Sequence, residues 1–479
     1  MKRVTDEAVF SRLTEDSPWW AHPNLAGVSI QSTWRRDYFS RFFRLLSQTQ
    51  LGLRRALVLI GPRRVGKTVL MKQAIAQLIA EGVDPATILY APVDTPTYSE
   101  LVIEDYLDIL ARRSKRPKSS RLFLFLDEIQ YHADWERHVK SLVDAYPQLS
   151  IVVSGSSAAA LKRKSSESGA GRLTNFDLPP LTFHEFLKFR EKADVLVKAQ
   201  STSDSELPTY SVANGKIDEL NKEFESYLHF GGFPEAVMSP IIRDEPERFL
   251  KEDIIDKVLI RDLPSLYGIS NTTELYRLFK TLAFNTAQEA SLEGMSQQSG
   301  IVKETIQKYF EFLEAAFLVR RIKRVDERAS AFKRERTFKV YLTNPSIYCG
   351  LFGSRDLPGE VVGRLAETAI FSHWFHGQYH DLRYARWKSG EVDLVDVAGE
   401  NSRARWAMEI KWSDRPQRHL DELDNLVEFG ETNNIVDLTC TTLTATGMVS
   451  HRSKRVRLVP TSLWCYTLAA NTALRLSQL

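Results

Sequence analysis

The segment GPRRVGKT, residues 61–68, matches the phosphate-loop pattern GxxxxGK[ST] at every fixed position. It directly follows the apolar run Ala56 to Ile60, which predicts a buried strand, and it leads into TVLMKQAIAQLIAEG, which predicts a helix. A strand, a glycine-rich turn and a helix in this order form the phosphate-binding loop (P-loop) of nucleotide-binding α/β domains. A chance Gly-Lys-Thr in a loop is the alternative, and the flanking strand and helix argue against it. The chain is therefore predicted to bind a nucleoside triphosphate.

Each residue type in this loop has a chemical reason. Glycines let backbone N–H groups turn inward around phosphates, and the positive end of the following helix adds to their field. Lys67 brings a positive charge to the β- and γ-phosphate oxygens, and the Thr68 hydroxyl is a ligand for Mg²⁺. The residues predicted to contact the nucleotide are Gly61, Pro62, Arg63, Arg64, Val65, Gly66, Lys67 and Thr68.

A second apolar run, RLFLFLDEIQ at residues 121–130, ends in two acids. It predicts a central parallel strand whose carboxyl end opens toward the ligand. Asp127 is placed to hold the Mg²⁺ shell, and Glu128 to orient or deprotonate the attacking water. An acidic turn after a core strand is the alternative, and the presence of Lys67 favours the catalytic interpretation. A water-activating carboxylate predicts hydrolysis and not nucleotide binding alone.

A third buried strand, Ile151 to Val153, ends in a run of serines. Ser154 and Ser156 are candidates to sense the γ-phosphate, with capping of the following helix as the alternative. Arg172 lies among small residues on a predicted mobile loop. An arginine there is a candidate to stabilise transition-state charge in a neighbouring subunit, with an exposed surface arginine as the alternative.

The last third of the chain contains a second set of candidate catalytic and metal-binding residues. RWAMEIKW, residues 405–412, alternates so that Glu409 and Lys411 share one face of a predicted strand. Upstream, Asp393 lies in another predicted strand and Glu367 on a preceding helix. This order looks like the PD-(D/E)xK nuclease core, which implies Mg²⁺ or Mn²⁺ ligands at Glu367, Asp393 and Glu409, with Lys411 activating the hydroxide. An exposed ion pair between Glu409 and Lys411 is the alternative, and the proline of the commonest nuclease pattern is missing before Asp393.

Helical periodicity dominates from Phe224 onward, and residues 272–325 predict a winged helix. In this interpretation ELYRLFKTLAFNT and VKETIQKYFEFLEAAFLV are helices, SLEGMSQQSG is a turn and RRIKRV is the wing strand. Residues 320–339 carry nine basic and three acidic side chains, a composition that favours contact with nucleic-acid phosphates. A solvated charged face and a protein-binding winged helix stay open as alternatives.

Composition narrows the class of protein. With 479 residues, 43% of them hydrophobic and 26% charged, the chain has the length of two or three globular domains. Its net charge of +3 selects no partner. The three cysteines have neither CxxC spacing nor an even number, which argues against a disulfide framework and a zinc knuckle. The first residues mix acids with apolar side chains, and no apolar stretch is long enough to cross a bilayer, so we expect a cytoplasmic protein.

GPRRVGKT, FLFLDEIQ, IVVSGSS, AGRLTNFDLPPLTFHEFL and FGGFPEAV together resemble one family. They are similar to bacterial and archaeal AAA+ ATP-binding proteins, related to the archaeal ATPase clade, that carry a C-terminal domain of unknown function with a nuclease-like core. The resemblance extends from about Arg35 to Lys411 and is specific only at the motifs. It implies an α/β fold with a P-loop AAA+ parallel sheet, a helical lid, a winged-helix segment and a C-terminal α/β restriction-endonuclease-like domain.

The segments predict four parts along the chain. They are an N-terminal arm at residues 1–34, an AAA+ domain at 35–222 with a polar insertion near 191–222, a helical lid and winged-helix domain at 223–345, and a nuclease-like domain at 346–479. The aromatic cluster Trp19, Trp20 and His22 is expected to lie on the AAA+ domain.

Three functions stay open on the sequence. The first is an ATPase, with ATP and Mg²⁺ as cofactors, that acts on DNA, or on RNA, through a metal-dependent nuclease domain in genome defence or mobile-element biology. The second is a regulatory ATPase whose winged-helix and nuclease-like parts bind DNA or a protein without cutting. The third binds ATP for assembly alone. Glu128 argues against the third, and the set Glu367, Asp393 and Glu409 favours the first. A homo-oligomer is expected if Arg172 acts across a subunit boundary.

Overall fold

The computed structural model describes two compact units. The first unit comprises residues 1–179 and 475–479, and the second comprises residues 180–474. The domain boundaries predicted at residues 34, 222 and 345 stay predictions. The described residues are 5–22, 34–48, 55–98, 100–132, 134–155, 171–200, 207–331, 337–354, 356–375, 381–398 and 403–478.

The first unit is built on a five-stranded sheet in the spatial order β2-β3-β4-β1-β5. All four neighbouring pairs are parallel. The strands are β1 (Ala56–Ile60), β2 (Ile88–Pro92), β3 (Leu122–Asp127), β4 (Leu149–Gly155) and β5 (Leu173–Asp177). The α-helices are α1 (Asp6–Asp16), α2 (Phe39–Gln48), α3 (Lys67–Ala80), α4 (Ile103–Ser114) and α5 (Trp135–Ala145). Short 3-10 turns lie at Pro18–Trp20, Pro85–Thr87, Pro96–Tyr98 and Ile129–Tyr131.

Every residue of β1, β3 and β4 is buried. Strands covered on both faces need apolar residues at consecutive positions, which explains the continuous runs ALVLI and LFLFL. Because parallel strands all end at the same edge of a sheet, the ends of these three strands bring Gly61, Asp127 and Ser154 to one edge. The predicted parallel-sheet P-loop domain is confirmed.

The segment Ser17 to Trp20 lies along β2, which is an edge strand of this sheet. Ser17 Oγ accepts a hydrogen bond from Tyr90 N at 3.1 Å and donates to Tyr90 O at 3.2 Å. The indole N–H groups of Trp19 and Trp20 both donate to Ile88 O, at 3.0 and 2.8 Å. The aromatic arm therefore satisfies polar groups of an edge that would otherwise be open to pairing with another chain.

The second unit contains a nine-stranded mixed sheet in the order β15-β16-β14-β13-β12-β11-β9-β10-β8 and a separate pair, β6-β7. Three neighbouring pairs of the large sheet are parallel, namely β9 with β11, β13 with β14 and β14 with β16. The strands are β6 (Val197–Gln200), β7 (Thr209–Val212), β8 (Gln288–Ala290), β9 (Val319–Val325), β10 (Phe338–Leu342), β11 (Asp381–Arg386), β12 (Glu391–Ala398), β13 (Arg403–Glu409), β14 (Leu438–Thr442), β15 (Gly447–His451) and β16 (Lys454–Pro460).

Helices of the second unit precede and flank this sheet, and the last of them continues past residue 474, where this unit ends. They are α6 (Phe183–Phe189), α7 (Ala193–Leu196), α8 (Ile217–Phe230), α9 (Pro234–Met238), α10 (Pro240–Asp244), α11 (Pro246–Phe249), the π-helix Leu250–Asp262, α12 (Leu263–Tyr267), α13 (Thr272–Phe284), α14 (Leu292–Ser299), α15 (Lys303–Ala315), α16 (Ser346–Phe352), α17 (Gly359–Trp374), α18 (Arg415–Arg418), the 3-10 turn Leu420–Leu423, α19 (Asp424–Thr432) and α20 (Thr461–Gln478). No helix in the described ranges is long and apolar enough to span a bilayer.

The region predicted as a winged helix contains two elements more than expected, strand β8 and helix α14. The segment SLEGMSQQSG was predicted as a turn, but it forms helix α14, so that prediction was wrong. Ser291 Oγ caps the helix by accepting from Gly294 N at 3.0 Å, and Gly300, with a φ of 74°, ends it. Both residues are standard helix-terminus signals that an emphasis on hydrophobic spacing overlooks.

Candidate functional site

The P-loop links the end of β1 to the start of α3. Gly66 immediately precedes the helix with a φ of 95°, a left-handed conformation that favours glycine. A Cβ atom at Gly61 would lie 2.2 Å from the carbonyl oxygen of Leu178, so this position also excludes larger residues. The two glycines of the motif are thus required by backbone geometry, which leaves the loop's N–H groups to define its inner surface.

Lys67 lies at the first position of α3 with 6% of its surface exposed. Its Nζ donates hydrogen bonds to Gly61 O at 3.0 Å and to Pro62 O at 2.8 Å, so the ammonium group lies across the loop that precedes it. These acceptors are neutral carbonyl groups, which bind an ammonium more weakly than phosphate oxygens do. The geometry suits a lysine that moves from the loop carbonyls to a bound phosphate.

Asp127, the last residue of β3, accepts hydrogen bonds from three hydroxyl groups. Thr68 Oγ1 donates to Asp127 Oδ2 at 2.6 Å, Tyr90 OH donates to the same oxygen at 2.9 Å, and Ser154 Oγ donates to Oδ1. Burial raises the pKa of the Tyr90 hydroxyl, and the nearby Asp127 raises that pKa further, so the hydroxyl stays protonated and remains a donor. Thr68, Asp127 and Ser154 therefore lie together at this edge, their roles at a nucleotide stay predictions, and Tyr90 was not among the predicted site residues.

Glu128 follows directly and has a φ of 58°, which is uncommon for a residue with a side chain. Its backbone N lies 3.2 Å from Asp127 Oδ1 and 3.4 Å from Ser154 Oγ. Its carboxylate accepts a hydrogen bond from Gln130 Nε2 at 2.5 Å. This turn separates the two acids, so that Asp127 lies within the sheet edge while Glu128 is half-buried beside it.

Arg172 lies away from this edge within its own unit. It immediately precedes β5, and its carbonyl oxygen accepts a hydrogen bond of 2.8 Å from Ala56 N at the start of β1. Because β1 and β5 are parallel, Arg172 is at the end of the sheet opposite to the P-loop. Its Nε donates to Asp144 Oδ1 at 2.8 Å. A role for Arg172 in a neighbouring subunit stays a prediction, and Ser156 lies outside the described residues.

Arg36 is a P-loop contact that the sequence interpretation missed. Its Nη1 donates to Val65 O and its Nη2 to Pro179 O, each at 2.8 Å, and the residue is 6% exposed. A buried guanidinium that bonds a P-loop carbonyl fixes the loop's path. The sequence WRR gave a weak signal, since nothing in it distinguishes Arg36 from its exposed neighbour Arg35.

The second unit brings the four predicted nuclease residues into one region. Glu367 on α17 and Asp393 on β12 converge on a common partner, while Glu409 ends β13 and accepts a hydrogen bond of 2.6 Å from Lys411 Nζ. Ile410 N donates to Asp393 Oδ2 at 2.9 Å, which joins the two strands at this point.

The common partner is Lys339 on β10, which had been counted among the basic surface residues. It is instead buried, and its Nζ lies 2.7 Å from Glu391, 3.2 Å from Glu367 and 3.4 Å from Asp393. Tyr341 OH donates to Glu367 Oε1 at 2.6 Å. Lys339, Tyr341 and Glu391 were missed, although a lysine inside the apolar strand FKVYL was a usable signal.

Burial and charge oppose each other in this cluster. Burial alone would lower the pKa of Lys339, but Glu367 and the other neighbouring acids raise it well above its ordinary value. Burial opposes ionisation of Asp393, yet Lys339 and Lys411 outweigh it and lower the Asp393 pKa. Burial raises the pKa of Glu367 to about 7 despite Lys339. Lys339 is therefore held as a cation, and Asp393 as its anionic partner.

This donor set does not fit a resident divalent ion. Oxygens of Glu367 and Asp393 are already bonded to an ammonium group, and Glu409 is paired with Lys411. Glu409 Oε2 is the feature that would fit a cation, because it is buried with no hydrogen-bond partner within the described ranges. Nevertheless, no group of three or more His, Cys, Asp or Glu side chains in the described part of the chain is arranged to hold a metal.

Comparison with known proteins identifies two domain families. Residues 53–187 match a family described as an AAA domain, and residues 221–357 match a domain of unknown function, DUF8612. An uncharacterized protein of Haemophilus influenzae is 29% identical over 349 residues, which cover 71% of this chain and 78% of the relative. The uncharacterized protein MJ1544 of Methanocaldococcus jannaschii is 26% identical over 356 residues, which cover 72% of each chain.

Among solved structures, the Saccharomyces cerevisiae Hsp104-ADP complex aligns with 13% identity and a TM-score of 0.31. The alignment covers 61% of this chain and 40% of the Hsp104 chain. A TM-score at this level supports no inference about this protein. The family match and the geometry of residues 61–68 agree, however, and the matched AAA domain, with its P-loop, lies mostly within the first unit.

Proposed function

We propose that the first unit binds ATP with Mg²⁺ and hydrolyses it. The observation that carries this proposal is the hydrogen bond of 2.6 Å between Thr68 Oγ1 and Asp127 Oδ2, which joins the end of the P-loop to the end of β3. Both oxygens are hard donors of the kind that surround Mg²⁺ in nucleotide sites, where the ion neutralises phosphate charge. The match of residues 53–187 to the AAA domain supports the same function.

The chain's residues have separable roles in this proposal. Backbone N–H groups of residues 61–68 hold the phosphates, and Lys67 exchanges its two carbonyl acceptors for phosphate oxygens. Glu128 orients and deprotonates the attacking water, and Ser154, through Asp127, senses the γ-phosphate. Ser156 and Arg172 keep the roles predicted for them.

Two substitutions test binding and hydrolysis separately. Lys67→Ala should weaken ATP binding by roughly 100-fold, because lost charge-assisted hydrogen bonds cost about 3 kcal/mol. Glu128→Gln should retain ATP and slow hydrolysis by about 10²- to 10⁴-fold, because the general base is removed. Calorimetry with Mg-ATP measures the first effect, and phosphate release measures the second.

Lys303→Ala is the matched control, because Lys303 is an exposed lysine of the second unit paired with Glu293. It should leave both measurements unchanged. Equal turnover in the wild type and in Glu128→Gln would remove the proposed base. Absence of any heat with Mg-ATP for folded wild-type protein would remove the proposed function.

The proposal also includes a nucleic-acid partner, which the second unit would bind. The order α13, β8, α14, α15, β9, β10, with β10 pairing antiparallel to both strands, is the order of a winged helix and supports it. Arg320, Lys323 and Arg328 are exposed on this segment. Arg321, in contrast, is bonded to Glu314 at 2.7 Å, so part of the basic charge serves the fold. Binding of labelled DNA that weakens steeply with salt would support this partner.

Metal-dependent cleavage by a restriction-endonuclease-like domain is the second candidate. The gathering of Glu367, Asp393, Glu409 and Lys411 favours it, and the position of Lys339 weighs against it. Nicking of DNA or RNA with Mg²⁺ or Mn²⁺ that disappears in Asp393→Ala and in Lys411→Ala would support cleavage. Binding without nicking would instead support a regulatory ATPase. Cytoplasmic location, a homo-oligomer and a role in defence or mobile-element biology stay predictions.

A further inference from the structure

The carboxylate cluster of the second unit contains a cation that the chain itself supplies. The side chain of Lys339 is 5% exposed, and three carboxylates lie within 3.4 Å of its Nζ. Removing an ammonium group from water is costly unless it is paired and hydrogen-bonded. These carboxylates explain how a lysine is tolerated in a strand whose five residues are all buried.

The donors and acceptors of this cluster agree in number. An ammonium group has three N–H donors, and the carboxylates of Glu367, Glu391 and Asp393 surround it. Two of them accept a further hydrogen bond, since Tyr341 OH donates to Glu367 Oε1, which Lys339 also contacts, and Ile410 N donates to Asp393 Oδ2. Three oxygens that a divalent ion would require, Glu367 Oε1 and both oxygens of Asp393, are thus engaged by groups from two segments of the chain, strand β10 and the residue that follows β13.

We propose that Lys339 is the resident cation of this cluster and that its ammonium group excludes divalent metal ions from the carboxylates. Mg²⁺ takes about six oxygens at about 2.0–2.1 Å, whereas an ammonium group bonds three at about 3 Å, so one geometry cannot serve both. Two cations sharing the same carboxylates would also repel each other strongly at such short range. The cluster therefore stabilises the sheet without a metal.

This inference is independent of ATP hydrolysis and opposes metal-dependent cleavage. Its main competitor is a metal held, after Lys339 swings away, by Asp393 and by Glu409 Oε2, an oxygen with no hydrogen-bond partner among the described residues. The two possibilities differ in what Lys339 does for metal affinity. If Lys339 excludes the metal, its removal creates a site, whereas a swinging Lys339 leaves a site that is already present in the wild type.

A measurement of Mn²⁺ binding in the absence of nucleotide distinguishes the two possibilities. Binding is monitored as the loss of the electron paramagnetic resonance signal of free Mn²⁺. All proteins carry Asp127→Asn, which removes the carboxylate proposed to hold the metal ion at the P-loop. We expect no Mn²⁺ site in the parent protein that depends on Asp393. Lys339→Met should gain one site per chain, at least about 10-fold tighter than any in the parent, and adding Asp393→Asn should remove it.

Lys323→Met is the matched control, because Lys323 is exposed on the strand next to Lys339 and should gain no site. Lys339→Arg should fold and bind no Mn²⁺, because it keeps the positive charge. If Lys339→Met unfolds without metal, Mn²⁺ should raise its melting temperature and leave that of the parent unchanged. An Mn²⁺ site in the parent that Asp393→Asn removes would overturn the proposal. A Lys339→Met protein that neither gains a site nor is stabilised by Mn²⁺ would overturn it equally.

Discussion

Two regions in the described part of the chain combine a buried lysine with carboxylates, and they differ in what neutralises the charges. At the P-loop, Asp127 accepts hydrogen bonds from hydroxyl groups, and Lys67 donates to backbone carbonyls. In the second unit, Lys339 is bonded directly to Glu367 and Asp393. The first arrangement pairs charges with neutral groups, and the second pairs them with each other.

This difference separates a ligand site from a structural core. A carboxylate held by hydroxyl groups keeps its full negative charge for an incoming cation, and the hydroxyls can turn toward the new ligand. In a buried ion pair each charge is already neutralised by its partner, so neither is available to a ligand. The pair matters for stability because removing one partner leaves the other charge buried and uncompensated. The same residue types therefore predict binding in the first unit and stability in the second.

Parallel substitutions of the two aspartates give the sharpest test of the comparison. Asp393→Asn should destabilise the second unit by about 3–5 kcal/mol, because it leaves a buried lysine with an incomplete set of anions. Asp127→Asn should cost less stability, about 1.5–3 kcal/mol for the hydroxyl groups that lose a charged acceptor, and should raise the Mg²⁺ concentration needed for half-maximal ATP hydrolysis by roughly 10- to 100-fold. Urea unfolding and steady-state hydrolysis at varied Mg²⁺ measure the two effects.

The comparison would fail if the two phenotypes were exchanged or equal. A stable Asp393→Asn protein that loses a metal-dependent activity would identify the second cluster as a ligand site. An Asp127→Asn protein that unfolds would show that the hydroxyl network around this residue serves the fold first.

The sequence was most informative where chemistry restricts both residue type and spacing. Gly61, Gly66 and Lys67 are fixed by a loop that follows a buried strand, so a pattern of eight residues predicted the strand, the turn and the helix. Asp127 was predictable because a continuous apolar run is typical of a buried parallel strand, and the carboxyl ends of such strands face the ligand.

The residues that were missed act through contacts distant in sequence. Tyr90 is 37 positions from Asp127, and Arg36 is 29 positions from Val65, and neither distance leaves a local pattern. Lys339 was misinterpreted because a count of basic residues ignores whether each one is buried. The Glu-x-Lys motif placed residues 409 and 411 on one face of a strand, with an ion pair between them as the alternative to a metal site, but it carried no information about a lysine from another strand.

A second test is the dependence of stability on pH. A buried titratable group whose pKa differs between the folded and unfolded states makes the free energy of unfolding change with pH. His373 is buried; its Nε2 accepts from Phe183 N at 2.8 Å and its Nδ1 lies 2.6 Å from Ala369 O. Burial lowers its pKa from 6.5 to about 4. The folded state thus binds fewer protons than the unfolded state in this window, so stability is full above pH 6.5 and falls toward pH 4.

The expected loss is about 3 kcal/mol, from about 1.4 kcal/mol per pKa unit. Urea unfolding between pH 7 and pH 4.5 measures it. In His373→Gln the neutral amide cannot titrate, so the difference in unfolding free energy between this variant and the wild type should shrink as the pH falls. A constant difference across this range would show that His373 does not titrate in the unfolding transition.

The smallest expected effect compares two buried tyrosines of the first unit. Tyr90→Phe removes a hydroxyl that donates to the Asp127 carboxylate and should cost about 1.5–3 kcal/mol of stability. Tyr106→Phe is the matched control, because the Tyr106 hydroxyl is buried with no hydrogen-bond partner in the described part of the chain, so its removal should be neutral or stabilising. Thermal unfolding without nucleotide compares them. If Mg-ATP reduces the difference in melting temperature between the two variants, Asp127 has gained a partner that replaces Tyr90, as a ligand site requires. An unchanged difference would indicate that the hydroxyl network around Asp127 serves the fold.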